Sequence, residues 1–170
     1  MRTLILFRHA KAANPAPGQG DFDRPLTERG RGDAARMGSL LARYPLDRAL
    51  VSAARRTQET WQLASAALDA APQPEVSRDL YLSGAQTLIG TIRETPPEVA
   101  GVVVVGHNPD MHEVALWLAD AATGEPSRVL RQKFPTAALA IFEVTPGGWS
   151  DIGPKTARLL DFVTPAETAD

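Results

Sequence analysis

Apolar positions along the chain fall into two alternating patterns. Short unbroken runs mark buried strands, and longer stretches with apolar residues every three or four positions mark helices. Thr3 to Phe7 is the first run, fit for a strand buried on both faces. Asn14 to Gly20, rich in Pro and Gly, reads as a loop. Thr27 then caps a helix that Pro45 stops near Tyr44. Its predicted inner face is Ala35, Leu40 and Leu41, although Gly30, Gly32 and Gly38 lower its propensity. Arg48 to Val51 is a second short strand. Ala54 to Ala71 predicts a long helix with Trp61, Ala64 and Leu68 at helical spacing. A short extended piece at Glu75 to Ser77 and a helix from Ala85 to Glu94 follow. Val102 to Val105, four consecutive valines, is the strongest buried-strand signal. Pro109 opens another helix, reaching about Ala121. Ala137 to Val144 and Ala157 to Phe162 close the chain as strands, with Pro146-Gly147-Gly148 as the turn between them. Strand and helix alternate through most of this order. The expected fold is α/β: a three-layer α/β/α sandwich with a mostly parallel central sheet, one domain spanning 1–170.

In such sheets ligands bind at the carboxyl ends of the strands. Arg8 and His9 follow the first predicted strand, Ser52 and Arg56 the second, and Gly106 and His107 the valine strand. Two arginines and two of the three histidines thus converge on one edge. Taken singly these are weak signals. Arg56 could be a helix surface charge like its neighbour Arg55, and His107 could be a helix cap. Together they describe a phosphate pocket. Arginine presents planar, bidentate donors to phosphate oxygens. A neutral histidine nitrogen is a capable nucleophile toward phosphorus, and a second histidine, when protonated, can stabilise the equatorial oxygens. Positive side chains then do what a metal would, so no metal or cofactor is expected. His112 lies five residues after His107, off its helical face, and reads as an ordinary helix residue rather than a zinc partner.

Composition narrows the setting. The chain has 170 residues, 44% of them hydrophobic and 22% charged, in the globular range. A net charge of −2 argues against a nucleic-acid surface. The absence of cysteine removes disulfides, thiol nucleophiles and thiolate metal sites. The apolar run Leu4 to Phe7 ends at Arg8, too short for a signal segment or a membrane span. A soluble, cytoplasmic protein is expected.

LFRHAK (Leu6 to Lys11), VSAARRTQET (Val51 to Thr60) and VVGHNP (Val104 to Pro109) resemble the signature segments of the histidine phosphatase, or phosphoglycerate mutase-like, superfamily. DRPLTERG (Asp23 to Gly30), Leu80 to Leu82 and KFPTAALAIFEV (Lys133 to Val144) favour its SixA-type phosphohistidine phosphatase branch. The resemblance implies that His9 becomes phosphohistidine, that Arg8 and Arg56 bind the phosphoryl oxygens, and that His107 completes the pocket. Arg56 rather than Arg55 takes the family position, four residues after Ser52 and four before Thr60. Ala10 stands where the family usually has glycine, Ala53 where proline is common, and Glu59 where glutamine is common. None of these removes a catalytic group.

The family's usual glutamate acid has no obvious equivalent near Leu80 other than Asp79. Asp21 and Asp23 are the other candidates for a general acid. Weak acid equipment suits a phosphoramidate, whose imidazole leaving group has a conjugate acid of pKa about 6.5, better than an ester that must expel alkoxide. The short stretch between Leu80 and the valine strand leaves room for little more than one crossover helix, which predicts an open pocket. The leading expectation is hydrolysis of phosphohistidine on a protein partner, perhaps a histidine phosphotransfer domain. The alternatives are a small-molecule phosphomonoesterase and a phosphate-binding regulatory module without turnover. Neither a nucleic-acid nor a membrane partner is expected.

Overall fold

The computed structural model describes residues 1–120, 124–144 and 147–168. In chain order the elements are β1 (Arg2–Arg8), α1 (Glu28–Leu41), β2 (Arg48–Ser52), α2 (Arg55–Ser65), β3 (Pro74–Ser77), α3 (Ala85–Arg93), β4 (Gly101–Gly106), α4 (Asp110–Leu118), α5 (Glu125–Gln132), β5 (Leu139–Val144), β6 (Ala157–Val163) and α6 (Pro165–Thr168). Short 3-10 turns occupy Asp21–Asp23, Arg78–Leu80 and Trp149–Asp151. Among the described residues, six strands form one sheet in the order β3-β2-β4-β1-β5-β6. The β3, β2, β4 and β1 strands run parallel; at one side β5 pairs antiparallel to β1, and β6 pairs antiparallel to β5. The sheet is therefore mostly parallel, as its strand–helix alternation requires.

Helices cover both faces, and the period-2 geometry of strands explains how four valines serve two cores. Val102 and Val104 join Leu4 and Leu6 against Leu88, Ile92, Val114 and Leu118 of α3 and α4. Val103 and Val105 join Ile5 and Phe7 against Met37, Leu41 and Trp61 of α1 and α2. Each such buried side chain contributes roughly 1.5–3 kcal/mol relative to an exposed one, so the β1–β4 centre is firmly held. The sheet edge that carries Arg8, His9 and His107 grows directly from it.

Several element limits differ from expectation for local reasons. The α1 helix starts at the Thr27 cap, whose hydroxyl accepts from Gly30 N at 3.0 Å. Its buried stripe is Ala34, Met37, Gly38 and Leu41, while Ala35 is exposed and Leu40 half-buried. Close backbone approach sets that phase. A Cβ on Gly38 would lie 2.2 Å from Ala64 O of α2, and one on Gly30 would lie 2.2 Å from Lys11 O. The glycines that weaken the isolated helix let it pack. The α2 helix stops at Ser65, short of Ala71, because the amides of Ala67 and Leu68 bond three residues back, to Ala64 and Ser65. Trp61 and Ala64 are buried and Leu68 half-buried. The α4 helix stops at Leu118, short of the expected end near Ala121, because Ala119 is extended and bridges Ala157; Ala121 itself and Pro146 of the predicted turn lie outside the described residues. Two helices, α5 and α6, are not among the expected elements; α5 has only eight residues, and only Ser127 and Leu130 of it are buried. No helix among the described residues is long and apolar enough to cross a membrane.

Candidate active site

Strand register builds the site. Arg8 pairs with Gly106 across β1 and β4, and His9 N donates to Gly106 O at 3.0 Å. The next residues on these adjacent strands are therefore His9 and His107, whose ring centroids lie 5.3 Å apart. On the other side of β4, β2 ends at Ser52, and Arg56 sits in the first turn of α2. Thr60 locks this turn to the first strand end: its hydroxyl donates to Arg56 O at 2.7 Å and accepts from Ala10 N at 3.0 Å. The structure thus brings Arg8, His9, Arg56 and His107 together. Arg55 instead faces outward, its side chain half exposed and paired with Glu59 at 3.0 Å.

His9 is buried, and its Nδ1 lies 2.7 Å from Ala10 O. A carbonyl only accepts, so Nδ1 carries the proton and Nε2 keeps its lone pair. Burial, above all, pushes His9 down to about 3, opposed by the Ala10 hydrogen bond and reinforced by His107, Arg56 and Arg8. The ring is neutral at physiological pH. His107 is held at about 4, first by burial and then by Arg56. Its Nε2 lies 2.7 Å from Ser52 Oγ. The charged form of His107 considered from sequence is thus disfavoured until an anion arrives beside it.

Arg8 donates from Nη1 to Phe134 O at 3.0 Å. Arg56, 4% exposed, donates from Nη1 to Asp21 O at 2.8 Å and from Nη2 to Asp21 Oδ2 at 3.0 Å. Five buried side-chain polar atoms among the described residues have no hydrogen-bond partner, and three of them belong here: Arg8 Nε, Arg56 Nε and His107 Nδ1. An unsatisfied buried donor costs about 1–3 kcal/mol. Together with the neutral His9 these three suit a tetrahedral oxyanion: two guanidinium N–H groups, and His107 Nδ1, which is a donor when Ser52 donates to Nε2. No group of three or more His, Asp or Glu residues able to hold a metal occurs among the described residues.

The candidate acids separate. Asp21 reaches the site, whereas Asp23 is exposed and lines a different cleft with Arg55, Gln58 and Glu59. Asp79 is exposed on the turn before Leu80. Asp21 accepts from Tyr81 OH at 2.5 Å and from Arg24 at 2.9 Å, besides Arg56. The Tyr81 bond, then Arg24 and Arg56, hold its carboxyl far below the usual carboxylate range, against a smaller opposing effect of burial. The expected open pocket is narrower than the short chain suggests. His9, Arg56 and His107 are only 7%, 4% and 2% exposed. Tyr81 stands edge-on to His107 at 5.5 Å and to Phe22 at 4.9 Å, so aromatic side chains from two separate turns crowd the mouth.

Tyr81 and Ser52 carry contacts that residue type alone did not reveal; their only signal was that Tyr81 lies within the Leu80–Leu82 segment and that Ser52 follows the second predicted strand. Asn108 Nδ2 shares the Phe134 carbonyl with Arg8, at 2.9 Å. His112 donates from Nε2 to Leu130 O at 2.6 Å and braces α4 against α5, away from the phosphate donors.

The sequence pattern of the histidine phosphatase superfamily (branch 1) matches residues 4–81. A solved structure assigned as the phosphohistidine phosphatase SixA of Agrobacterium tumefaciens is 33% identical. It covers 96% of this chain and 98% of its own, with a TM-score of 0.80. The chain belongs to the histidine phosphatase superfamily. It falls in the SixA-type branch, and its class of activity is that of a phosphatase, a hydrolase of phosphorylated substrates. A second SixA-assigned structure, from Nakamurella multipartitia, has a TM-score of 0.83 at 28% identity over 96% of both chains. An uncharacterized Mycobacterium tuberculosis protein is 38% identical over 165 residues, covering 93% of this chain and 99% of that protein.

The two depressed histidines should make the folding of this histidine phosphatase acid-sensitive. In the unfolded chain each titrates near 6.5, and in the folded chain near 3 and 4. Between these values the unfolded state binds more protons, so stability is full above about pH 6.5 and falls as the pH drops toward 4. Urea midpoints measured across this range should decline. His107→Gln should flatten the decline, since that side chain does not titrate. Parallel curves for the variant and the wild type would refute this origin of the acid sensitivity.

Proposed function

We propose that this protein is a metal-independent phosphohistidine phosphatase acting on a phosphorylated protein in the cytoplasm, through a phosphoryl intermediate on His9. The observation that carries the reading is a buried, neutral His9, with Nδ1 committed to Ala10 O, grouped with Arg8, Arg56 and His107, each of which keeps a buried nitrogen without a partner: Arg8 Nε, Arg56 Nε and His107 Nδ1. In the first step His9 Nε2 attacks phosphorus, a P–N bond to His9 forms and the bond to the leaving group breaks. When Ser52 donates to His107 Nε2, Nδ1 bears the proton and can donate to a phosphoryl oxygen. In the second step water attacks phosphorus, the P–N bond to His9 breaks, inorganic phosphate leaves and the water's proton passes to solvent. The arginines stabilise the charge that both transition states spread over the equatorial oxygens.

Substrate class follows from the acid. Asp21 is ionised and already accepts from three donors, which makes it a poor proton source. A substrate whose leaving imidazole is readily protonated by solvent fits that equipment; an alkyl phosphate does not. The test is a side-by-side rate comparison on a phosphohistidine protein, p-nitrophenyl phosphate and a panel of sugar phosphates. The phosphohistidine protein should have the highest kcat/KM, with p-nitrophenyl phosphate next, and EDTA should leave all rates unchanged. A sugar phosphate turned over fastest would instead make the enzyme a small-molecule phosphomonoesterase. Loss of activity in EDTA with recovery on adding zinc or manganese would overturn the metal-independent mechanism.

A further inference from the structure

Arg56 has two hydrogen-bonding edges, and the structure uses only one. The outer edge, Nη1 and Nη2, is taken by the backbone oxygen and the carboxylate of Asp21. The side edge, which contains Nε, is buried without a partner. Asp21 is itself held from two further directions. Arg24 donates to Oδ1 at 2.9 Å, and Tyr81 OH donates to Oδ2 at 2.5 Å. The Tyr81 ring also lies under the Arg56 guanidinium, with Cζ 5.9 Å from its centroid, and against His107. Arg56 and Arg8 meanwhile repel one another, as the lowered pKa of Arg8 shows, its main cause being burial and its second Arg56. The buried Arg56 and the half-buried Arg8 are thus close enough to repel, and a nearby counter-charge such as Asp21 offsets that repulsion.

We infer that Asp21, clamped by Tyr81 and Arg24, is a positioning residue that holds the outer edge of Arg56 so that its Nε edge faces the phosphoryl group on His9. This inference rests on the reading that Arg56 binds that group. It assigns Asp21 a role other than proton donor, and other than a plug competing with phosphate, because the edge it occupies is not the unpartnered one. Preorganised donors of this kind act at the transition state more than on ground-state binding.

The test compares Asp21→Asn, Tyr81→Phe and the double variant with the wild type and His9→Ala, on p-nitrophenyl phosphate and a series of aryl and alkyl phosphates. Asp21→Asn should lower kcat by about 10–100-fold with KM within about threefold. Vanadate affinity should fall by a similar factor, since vanadate mimics the five-coordinate phosphorus. The dependence of rate on leaving-group pKa should keep the wild-type slope. Tyr81→Phe, which keeps the ring and carries the test if the Asp21 variant folds poorly, should lose about 3–10-fold. The double variant should be no worse than Asp21→Asn alone, because both act through one contact. A steeper leaving-group slope would make Asp21 the acid, and a faster Asp21→Asn enzyme would make it a plug. A fall in Tm with unchanged kcat and vanadate affinity would make it only a loop anchor. Each of these overturns the inference. An inactive wild type, or an active His9→Ala, would instead strike the functional reading beneath it.

Discussion

His9→Ala should abolish turnover, with a loss on the order of 10⁵-fold or more, the scale seen when a covalent nucleophile is removed. No other group sits where its Nε2 does: both arginines are cationic, and His107 Nε2 is engaged with Ser52. The variant should still fold, because His9 lies just past the end of β1 and outside both apolar cores. It should also still bind inorganic phosphate, since Arg8, Arg56 and His107 remain. Brief mixing of wild-type protein with radiolabelled substrate should trap label that is acid-labile and base-stable, the signature of phosphohistidine, and the label should vanish in His9→Ala. Ser52 is the informative competitor, being the other nucleophilic atom within hydrogen-bond reach of a histidine in this site. Base-labile label on Ser52, or full activity in the His9 variant, would end the assignment.

The parts of this site that could be read from sequence are those that local rules determine. A buried strand ends where an unbroken apolar run meets a polar residue or a glycine, so Arg8, Ser52 and Gly106 mark strand ends without knowledge of the fold. A mostly parallel sheet then places those ends on one edge. The register that sets His9 beside His107 follows from β1 and β4 being neighbours, and the valine run made that pairing of buried strands the natural centre. What escaped depends on contacts between distant segments. Asp21 and Asp23 are two residues apart in one polar loop, and only the 3-10 turn at Asp21–Asp23 decides which of them meets Arg56. The Tyr81 hydroxyl finds Asp21 across sixty positions of chain. The narrowing of the mouth has the same origin, since loop length predicts an open pocket but says nothing of Phe22 and Tyr81 meeting edge to edge. The helix face of α1 was misphased because glycine backbone contacts, invisible to an apolar count, set it. The α5 helix escaped because it buries almost nothing apolar.

Arg56→Ala should lower kcat/KM by about 10²–10³-fold, the range for loss of a donor to transition-state charge, and Arg8→Ala by a comparable factor. Arg55→Ala should stay within about twofold. The contrast between adjacent residues is what gives the experiment its force. Arg56 is buried and shares a turn with Thr60, which ties it to Ala10 beside the nucleophile. Arg55 lies on the outer face of the same helix, and its pairing with Glu59 is an exposed ion pair worth at most about 1 kcal/mol. Glu59 keeps its other contact, with Leu26 N at 2.8 Å, when Arg55 is gone, so the loop that carries Asp21 should remain in place. Arg56→Lys should recover little, because a single ammonium cannot keep Asp21 on one edge and present a second donor edge to phosphate. Kinetics of all four variants on p-nitrophenyl phosphate, with Tm as a check on folding, decide the matter. If Arg55→Ala proves the damaging change while Arg56→Ala is tolerated, the phosphoryl group does not bind between Arg8 and Arg56. If Arg56→Lys restores the wild-type rate, positive charge alone suffices and the two-edged use of the guanidinium is wrong.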